Sequence, residues 1–427
     1  MFLVILAYLA FFSIALPDNT LGVAWPSMRL DFGLSTGAAG LVPPVGVAAT
    51  LVATAFASRL AARFGVGRLL AAGTWLSAAA LVVSATSPGF TQFLVSVALM
   101  GFSGGAIDAT INAYAARTFG ARRINLLHAS FVVGAALSPL LVTAFVQTGL
   151  GWRWPYVVIA ALQVALGLLF LLTHARWTAP VAASPADDSP SATRPIGARR
   201  ADVTIGLVAV AVQTGIESAV ALWAFTFLTL GQGVDPVAAG LLASGYWMVM
   251  FAGRVVLGSL AERVGAWPVL GGAAAGLIGA GLLVWLGGPV GAMAGVLLFG
   301  LAAAPVYPLL ILTTAARTSA TGADAVVGYQ AGASSVGAAV FPLLIGLAMD
   351  RSVVAFAPAI TALSVVAALL HVLMRARVGR RRDLHSRRPC GAARAAVFAL
   401  DSADPVVSVA PRMMVAWTLR NPGTTSR

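Results

Sequence analysis

Residues 258–265 read Gly-Ser-Leu-Ala-Glu-Arg-Val-Gly, and residues 58–65 read Ser-Arg-Leu-Ala-Ala-Arg-Phe-Gly. The two octets share Leu, Ala, Arg and Gly at the same places, at an offset of about 200 residues. Each follows an apolar run, 36–57 and 236–257, long enough to cross a hydrocarbon core ~30 Å thick at ~1.5 Å per residue. A basic segment repeated after equivalent apolar runs points to a parallel internal repeat. The chain thus reads as two halves of matching order folded against lipid.

Ten further apolar runs complete the pattern, at 2–28, 69–87, 90–116, 124–149, 154–173, 203–230, 267–287, 290–316, 325–349 and 353–374. With 59% hydrophobic and only 10% charged residues, the 427-residue chain has too little polar surface for soluble domains. Open sheet edges do not survive in hydrocarbon, and the runs do not alternate as barrel strands do, so helices are expected. The fold class is an all-α polytopic membrane protein with twelve spans in two six-helix bundles, 1–173 and 203–374. The Pro/Ala/Ser/Asp-rich stretch 174–202 reads as a cytoplasmic linker and the Arg-rich stretch 375–427 as a disordered cytoplasmic tail. The run from Phe2 has no basic flank and is too long for a signal peptide, which makes it the first span.

The net charge of +13 resembles a nucleic-acid signal until it is located. The tail carries eleven arginines against three aspartates, with no fold or aromatic platform for nucleic acid. The remaining arginines gather in alternate connections, around Arg59 to Arg68, Arg117 to Arg123, Arg176 to Arg200, Arg263 and Arg317. The positive-inside rule therefore places both termini in the cytoplasm of a cell-membrane protein. The single cysteine, Cys390, excludes an internal disulfide framework. No metal, nucleotide or cofactor motif is present, so neither an enzyme nor an ATP-driven pump is expected.

Ionisable groups at mid-membrane depth are costly and need a partner or a water-filled cavity. Asp18 lies ~24 Å into span 1, Asp108 ~27 Å into span 4 and Glu217 ~21 Å into span 7. In Asp108…Asn112 and Gln213…Glu217 the polar residues are four apart, on one helix face. Pro17-Asp18-Asn19 adds a proline that bends its helix. Desolvation favours the neutral form of a carboxyl, which makes Asp108, Glu217 and Asp18 candidates for proton coupling. Asn19, Asn112, His128, Gln213, Tyr307 and Gln330 are candidate solute contacts. The alternative for each is an ordinary interhelical hydrogen bond.

The octet Gly-x-Leu-Ala-Glu-Arg-x-Gly at 258–265, within the six-plus-six layout of residues 1–374, resembles the cytoplasmic signature of the major facilitator superfamily. The first copy departs from it, with Ser58 for the usual glycine and Ala62 for the usual acid. The resemblance implies a secondary transporter whose inner-end gating segments include Arg63, Arg254, Glu262 and Arg263. Simple anchoring at the membrane face is the competing role for Arg63 and Arg263. Asp108…Asn112, followed by Arg123-Ile124-Asn125-Leu126, resembles the fucose:proton symporter branch more narrowly. That resemblance implies Asp108 as proton site and Asn112 as sugar contact, with His128 in the place of a glutamine. Asp18…Gly22…Trp25-Pro26 resembles sugar-permease-like bacterial relatives. Gly134…Ser138-Pro139 is partly similar to the span-5 signature of drug:proton antiporters, but lacks its following Gly-Gly.

Proton-coupled uptake of a sugar-like solute by a monomer in the lipid bilayer is thus the first expectation. Proton-coupled efflux of amphipathic drugs or metabolites is the second, and a non-transporting membrane sensor the third.

Overall fold

The computed structural model describes residues 2–178, 200–318 and 323–386, and every regular element among them is a helix. Most of the expected linker and tail lies outside the described residues. The first span is broken: α1 (Phe2–Asp18) and α2 (Leu21–Asp31) meet at a bend of 40°. Pro17 has no N–H, and the helix ladder fails just beyond it. Spans 2 to 6 are α3 (Val42–Phe64), entered through a tight turn at Thr36–Leu41, α4 (Val66–Thr86), α5 (Phe90–Thr118), α6 (Ala121–Gln147) and α7 (Arg153–Thr173). Spans 7 to 9 are α8 (Arg200–Thr226), α9 (Pro236–Val264) and α10 (Ala266–Leu286). Span 10 breaks at Pro305 into α11 (Gly288–Ala303) and α12 (Val306–Leu312), with α13 (Thr314–Arg317) as a short terminal turn. Spans 11 and 12 are α14 (Ala323–Met349) and α15 (Phe356–Ser386). Among the described residues, eleven helices are long and apolar enough to cross a bilayer, and the bent α1/α2 pair makes twelve.

The repeat is visible in the packing. In the first half α1 lies on α6, α3 on α5 and α4 on α5, and in the second half α8 lies on α14, α9 on α11 and α10 on α11. Those are the same pairings, spans 1–5, 2–4 and 3–4 against 7–11, 8–10 and 9–10, so each half is a six-helix bundle of one design. Both octets end on a glycine held at positive φ, Gly65 at 85° and Gly265 at 89°, with ψ near 150–160°. That conformation is essentially closed to residues with a Cβ.

Two sequence boundaries move. The octets are the last two turns of α3 and α9 rather than loops, because Leu, Ala, Arg and Glu are strong helix formers and only the glycine stops them. Likewise α15 continues through the basic run to Ser386, well past the expected end of the bundle at 374.

The close approaches between bundles lie toward the end carrying the connections 32–35, 148–152 and 232–235, which we call the outer end. There Gly37 packs on the backbone of Gly346, and its N–H donates to Asp350 Oδ1 at 2.5 Å. Gly22 packs on the carbonyls of Ala221 and Leu222, and Ser244 Oγ donates to the Ala136 carbonyl at 2.6 Å. An aromatic stack of Phe32, Phe93, Trp152 and Tyr156 fills the outer end of the first bundle.

Candidate functional site

Helix breaks leave carbonyls that must find donors in a medium without water. At the break in span 1 the Asn19 amide donates back to the Ala15 carbonyl at 2.9 Å. The Leu16 carbonyl accepts from Thr20 Oγ1 at 2.9 Å and from Ser138 Oγ at 2.7 Å. Gly134, one turn before Ser138, has the Phe12 backbone carbonyl where a Cβ would stand. The Gly134…Ser138 segment therefore seats the bent first span on α6. Asp18, at this break, is exposed within the bundle pair.

Behind Asp18 stands Asp108 on α5, close enough for the two carboxyls to act on each other. Asn112 Nδ2 donates to Asp108 Oδ1 at 3.2 Å, as four-apart spacing on a helix allows. On the other side Asp108 feels His128 of α6, whose ring meets Phe11 edge-on at 5.5 Å. Asp18 and Asp108, and Asp108 and His128, are thus pairs within electrostatic reach in the first bundle.

The second bundle answers with Glu217 on α8. Gln213 Nε2 donates to Glu217 Oε1 at 3.0 Å and lies 3.5 Å from the Ala303 carbonyl that the break in span 10 releases. Arg254 approaches Glu217 Oε2 at 3.8 Å, a loose ion pair. Tyr246 Oη donates to the Glu217 backbone carbonyl at 3.3 Å. Tyr307 lies near Ser334, whose hydroxyl bonds Thr214 at 2.9 Å, and within electrostatic reach of Glu217.

Between the bundles is a cavity of about 370 Å³. Its polar wall is Asp18, Asn19 and Thr50 from the first half and Thr214, Glu217 and Ser218 from the second. Phe93 and Tyr156, members of the outer aromatic stack, lie on its wall together with Phe131 and Trp247. Of the residues expected here, Asp18, Asn19 and Glu217 line the cavity. Asn112, Gln213 and Tyr307 stand behind it, bonded to or near its acids, and His128 lies beyond Asp108. Gln330 is elsewhere, fully buried near the inner end of α14 with its Oε1 accepting from Thr314 at 2.9 Å. Arg254, expected with the gating segments, sits inside α9, about three turns before its inner end, and lies 3.8 Å from Glu217. Arg63, Glu262 and Arg263 are exposed at the inner ends, with the Arg63 guanidinium over the Phe64 ring. Thr50, Thr214, Ser218 and Trp247 were missed. Thr214 and Ser218 fall four apart, one residue beyond Gln213 and Glu217, which was the signal for them.

A cavity at mid-depth between two repeated six-helix bundles defines a membrane transporter for small solutes. The sequence matches the Major Facilitator Superfamily over residues 7–342, and the chain belongs to that superfamily. It is therefore a multi-pass membrane protein, a secondary-active transporter working by alternating access and not an enzyme. Among solved structures, a mutant form of the nucleoside transporter NupG matches with a TM-score of 0.72 at 16% identity, covering 86% of this chain and 98% of that one. A D-xylose-proton symporter matches at 0.66 and 15% identity, covering 86% and 96%. FucP, a transporter of the superfamily in the outward conformation, matches at 0.56 and 18%, covering 88% and 98%. At these identities the likeness is one of fold. A search of curated proteins finds no match to the sequence.

Proposed function

We propose that the chain is a proton-coupled symporter that takes up a small sugar-like solute. The observation that carries this reading is the series Asp18, Asp108 and His128, which begins in the cavity wall and continues through the first bundle. Asp108 is the principal proton site, Asp18 meets solute and water in the cavity, and Glu217 couples the second bundle to occupancy. The cavity is at the small end of ligand sites, ~300–1,000 Å³, and suits a solute of one or two rings. Asn19, Thr50, Thr214 and Ser218 supply hydrogen bonds for hydroxyls, and Trp247 a face for a sugar ring. Similarity to a nucleoside transporter and a xylose–proton symporter supports a solute of this class. The narrower fucose:proton symporter resemblance rests on Asp108, Asn112 and the segment Arg123-Ile124-Asn125-Leu126.

On this reading residues 1–173 and 203–374 are the rocking bundles, joined by the linker 174–202, with the tail 375–427 and both termini in the cytoplasm. Bundle contacts at the outer end then correspond to an inward-facing state. Arg63, Glu262 and Arg263 approach the opposite bundle when the inner end closes. The protein acts as a monomer.

The test is solute-driven proton movement in proteoliposomes of the purified chain. Sugar-dependent alkalinisation of the outside medium supports symport; no proton movement with any sugar or nucleoside overturns it. A second reading, proton-coupled efflux of amphipathic compounds, is favoured by Phe93, Phe131, Tyr156 and Trp247 on the cavity wall. It predicts proton flux of the opposite sense with amphipathic drugs.

A further inference from the structure

The inner end of the second bundle holds another polar cluster, apart from the cavity. Arg317 ends α13 and, unlike an arginine that only sets topology, folds back into protein with 3% of its surface exposed. Its Nη2 donates to the Leu310 carbonyl at 2.5 Å and to Thr314 Oγ1 at 3.0 Å. Thr314 in turn donates to Gln330 Oε1, which leaves the Gln330 amide nitrogen pointing elsewhere. Arg317 Nε and Nη1 and Gln330 Nε2 are all buried with no acceptor among the described residues. Two of these nitrogens converge on one spot. A Cβ on Gly206 of α8 would run into Arg317 Nη1 and stand 3.5 Å from Gln330 Nε2, so a glycine is what lets both approach α8 there.

The charges are unequal. Burial draws the Arg317 guanidinium down to about 10, with Asp202 acting the other way, so it remains a cation at neutral pH. Asp202 is itself held by Arg377, whose Nη1 donates to its Oδ1 at 2.9 Å. Two guanidiniums therefore draw on one carboxylate, and no other described acid is seen to act on Arg317. His371 is also buried and within electrostatic reach of Arg317, and its Nδ1 has no partner among the described residues. Buried donors with no acceptor among the described residues, carried by a guanidinium and an amide, are the environment that a small anion satisfies.

We infer that Arg317 and Gln330 bind a halide-sized monovalent anion, chloride under cellular conditions, where α13 and α14 meet α8. The near-complete burial of every donor favours a monatomic ion over a phosphate or a lipid headgroup. The bound ion ties the ends of spans 10 and 11 to span 7, three elements whose inner ends must move together when the bundle rocks. This role is independent of which solute the cavity carries.

The test is thermal unfolding of the full chain in detergent as sodium gluconate is replaced by sodium chloride or bromide at constant ionic strength. The expected result is a saturable rise in Tm of about 2–5 °C with either halide. Gln330→Leu and Arg317→Gln lose that rise. Should Arg317→Gln fail to fold, Gln330→Leu decides alone, together with an anomalous bromide peak beside Arg317 in crystals grown from bromide. Equal Tm in gluconate and halide overturns the assignment, as does an undiminished rise in Gln330→Leu.

Discussion

Gly37→Ala should open the outer end. A Cβ at Gly37 would overlap the Gly346 carbonyl oxygen, come within 2.6 Å of its carbon and within 2.8 Å of Asp350 Cγ. Most of what it meets is backbone, which no rotamer change can clear. Overpacking of this kind costs about 1–3 kcal/mol. The contact joins the turn before α3 to α14, elements of opposite bundles, so the cost falls on the closed outer end and not on the folding of either bundle. At ~1.4 kcal/mol per decade, the outer-closed population then drops about 5- to 150-fold relative to the outer-open one. The readout is a cysteine in the cavity wall, Ser218→Cys, in a background where the single native cysteine is removed by Cys390→Ser. A membrane-impermeant maleimide applied from the outer side should label the Gly37→Ala protein at least about 5-fold faster. Gly272→Ala, where a Cβ meets nothing within 4 Å, should leave the rate unchanged. An unaltered labelling rate in folded, membrane-inserted Gly37→Ala would refute the reasoning.

Other expectations follow from single residues. Asp108→Asn should abolish proton-driven accumulation while solute counterflow persists in proteoliposomes, because exchange does not require net proton release. Gly65→Ala and Gly265→Ala should each cost about 1–3 kcal/mol through the positive φ they hold, seen as a lowered Tm; Gly89→Ala, at φ −155° with open space around it, should not. Ser138→Ala removes a donor to the Leu16 carbonyl and should lower stability by about 0.5–1.5 kcal/mol in the same assay. Glu217→Gln should impair transport while costing less than about 1 kcal/mol of stability, since its partner Arg254 is 3.8 Å away with 41% of its side chain exposed.

The sequence reveals depth along a helix far better than direction around it. Twelve runs, the repeat and the bend after Pro17 are one-dimensional facts, and each has its counterpart in α1 to α15. Whether a polar residue at the right depth faces the cavity depends on which helix stands beside it, and that is a property of the other strands of sequence. Gln330 illustrates the difficulty: its composition and span matched a solute contact, yet it lies near the inner end against Thr314. Arg317 is a second instance. An arginine at a span end is ordinarily a topology marker, and nothing local distinguishes one that snorkels to water from one that folds back onto the carbonyl of Leu310. Ser138 shows a further limit, since its partial likeness to an antiporter signature says nothing of its local task of satisfying the Leu16 carbonyl.

The two bundles share an architecture but not a charge balance, and this bears on what the cavity holds. In the second bundle Glu217, on the cavity wall, lies 3.8 Å from Arg254 and accepts from Gln213. In the first, Asp18 and Asp108 make no ion pair with an arginine among the described residues; Asp108 lies within electrostatic reach of Asp18, and His128 within reach of Asp108. On the proposed reading, the two carboxyls beside one imidazole are the groups that take up and release the coupling proton. A solute that is itself a cation would compete for Asp18 and make proton and solute exclusive, which is antiport. A neutral solute would leave the proton in place and travel with it, which is symport. On the proposed reading the sense of coupling follows from solute charge at Asp18, and Asp18→Asn should spare binding of a neutral sugar-like solute while abolishing competition between protons and any cationic one.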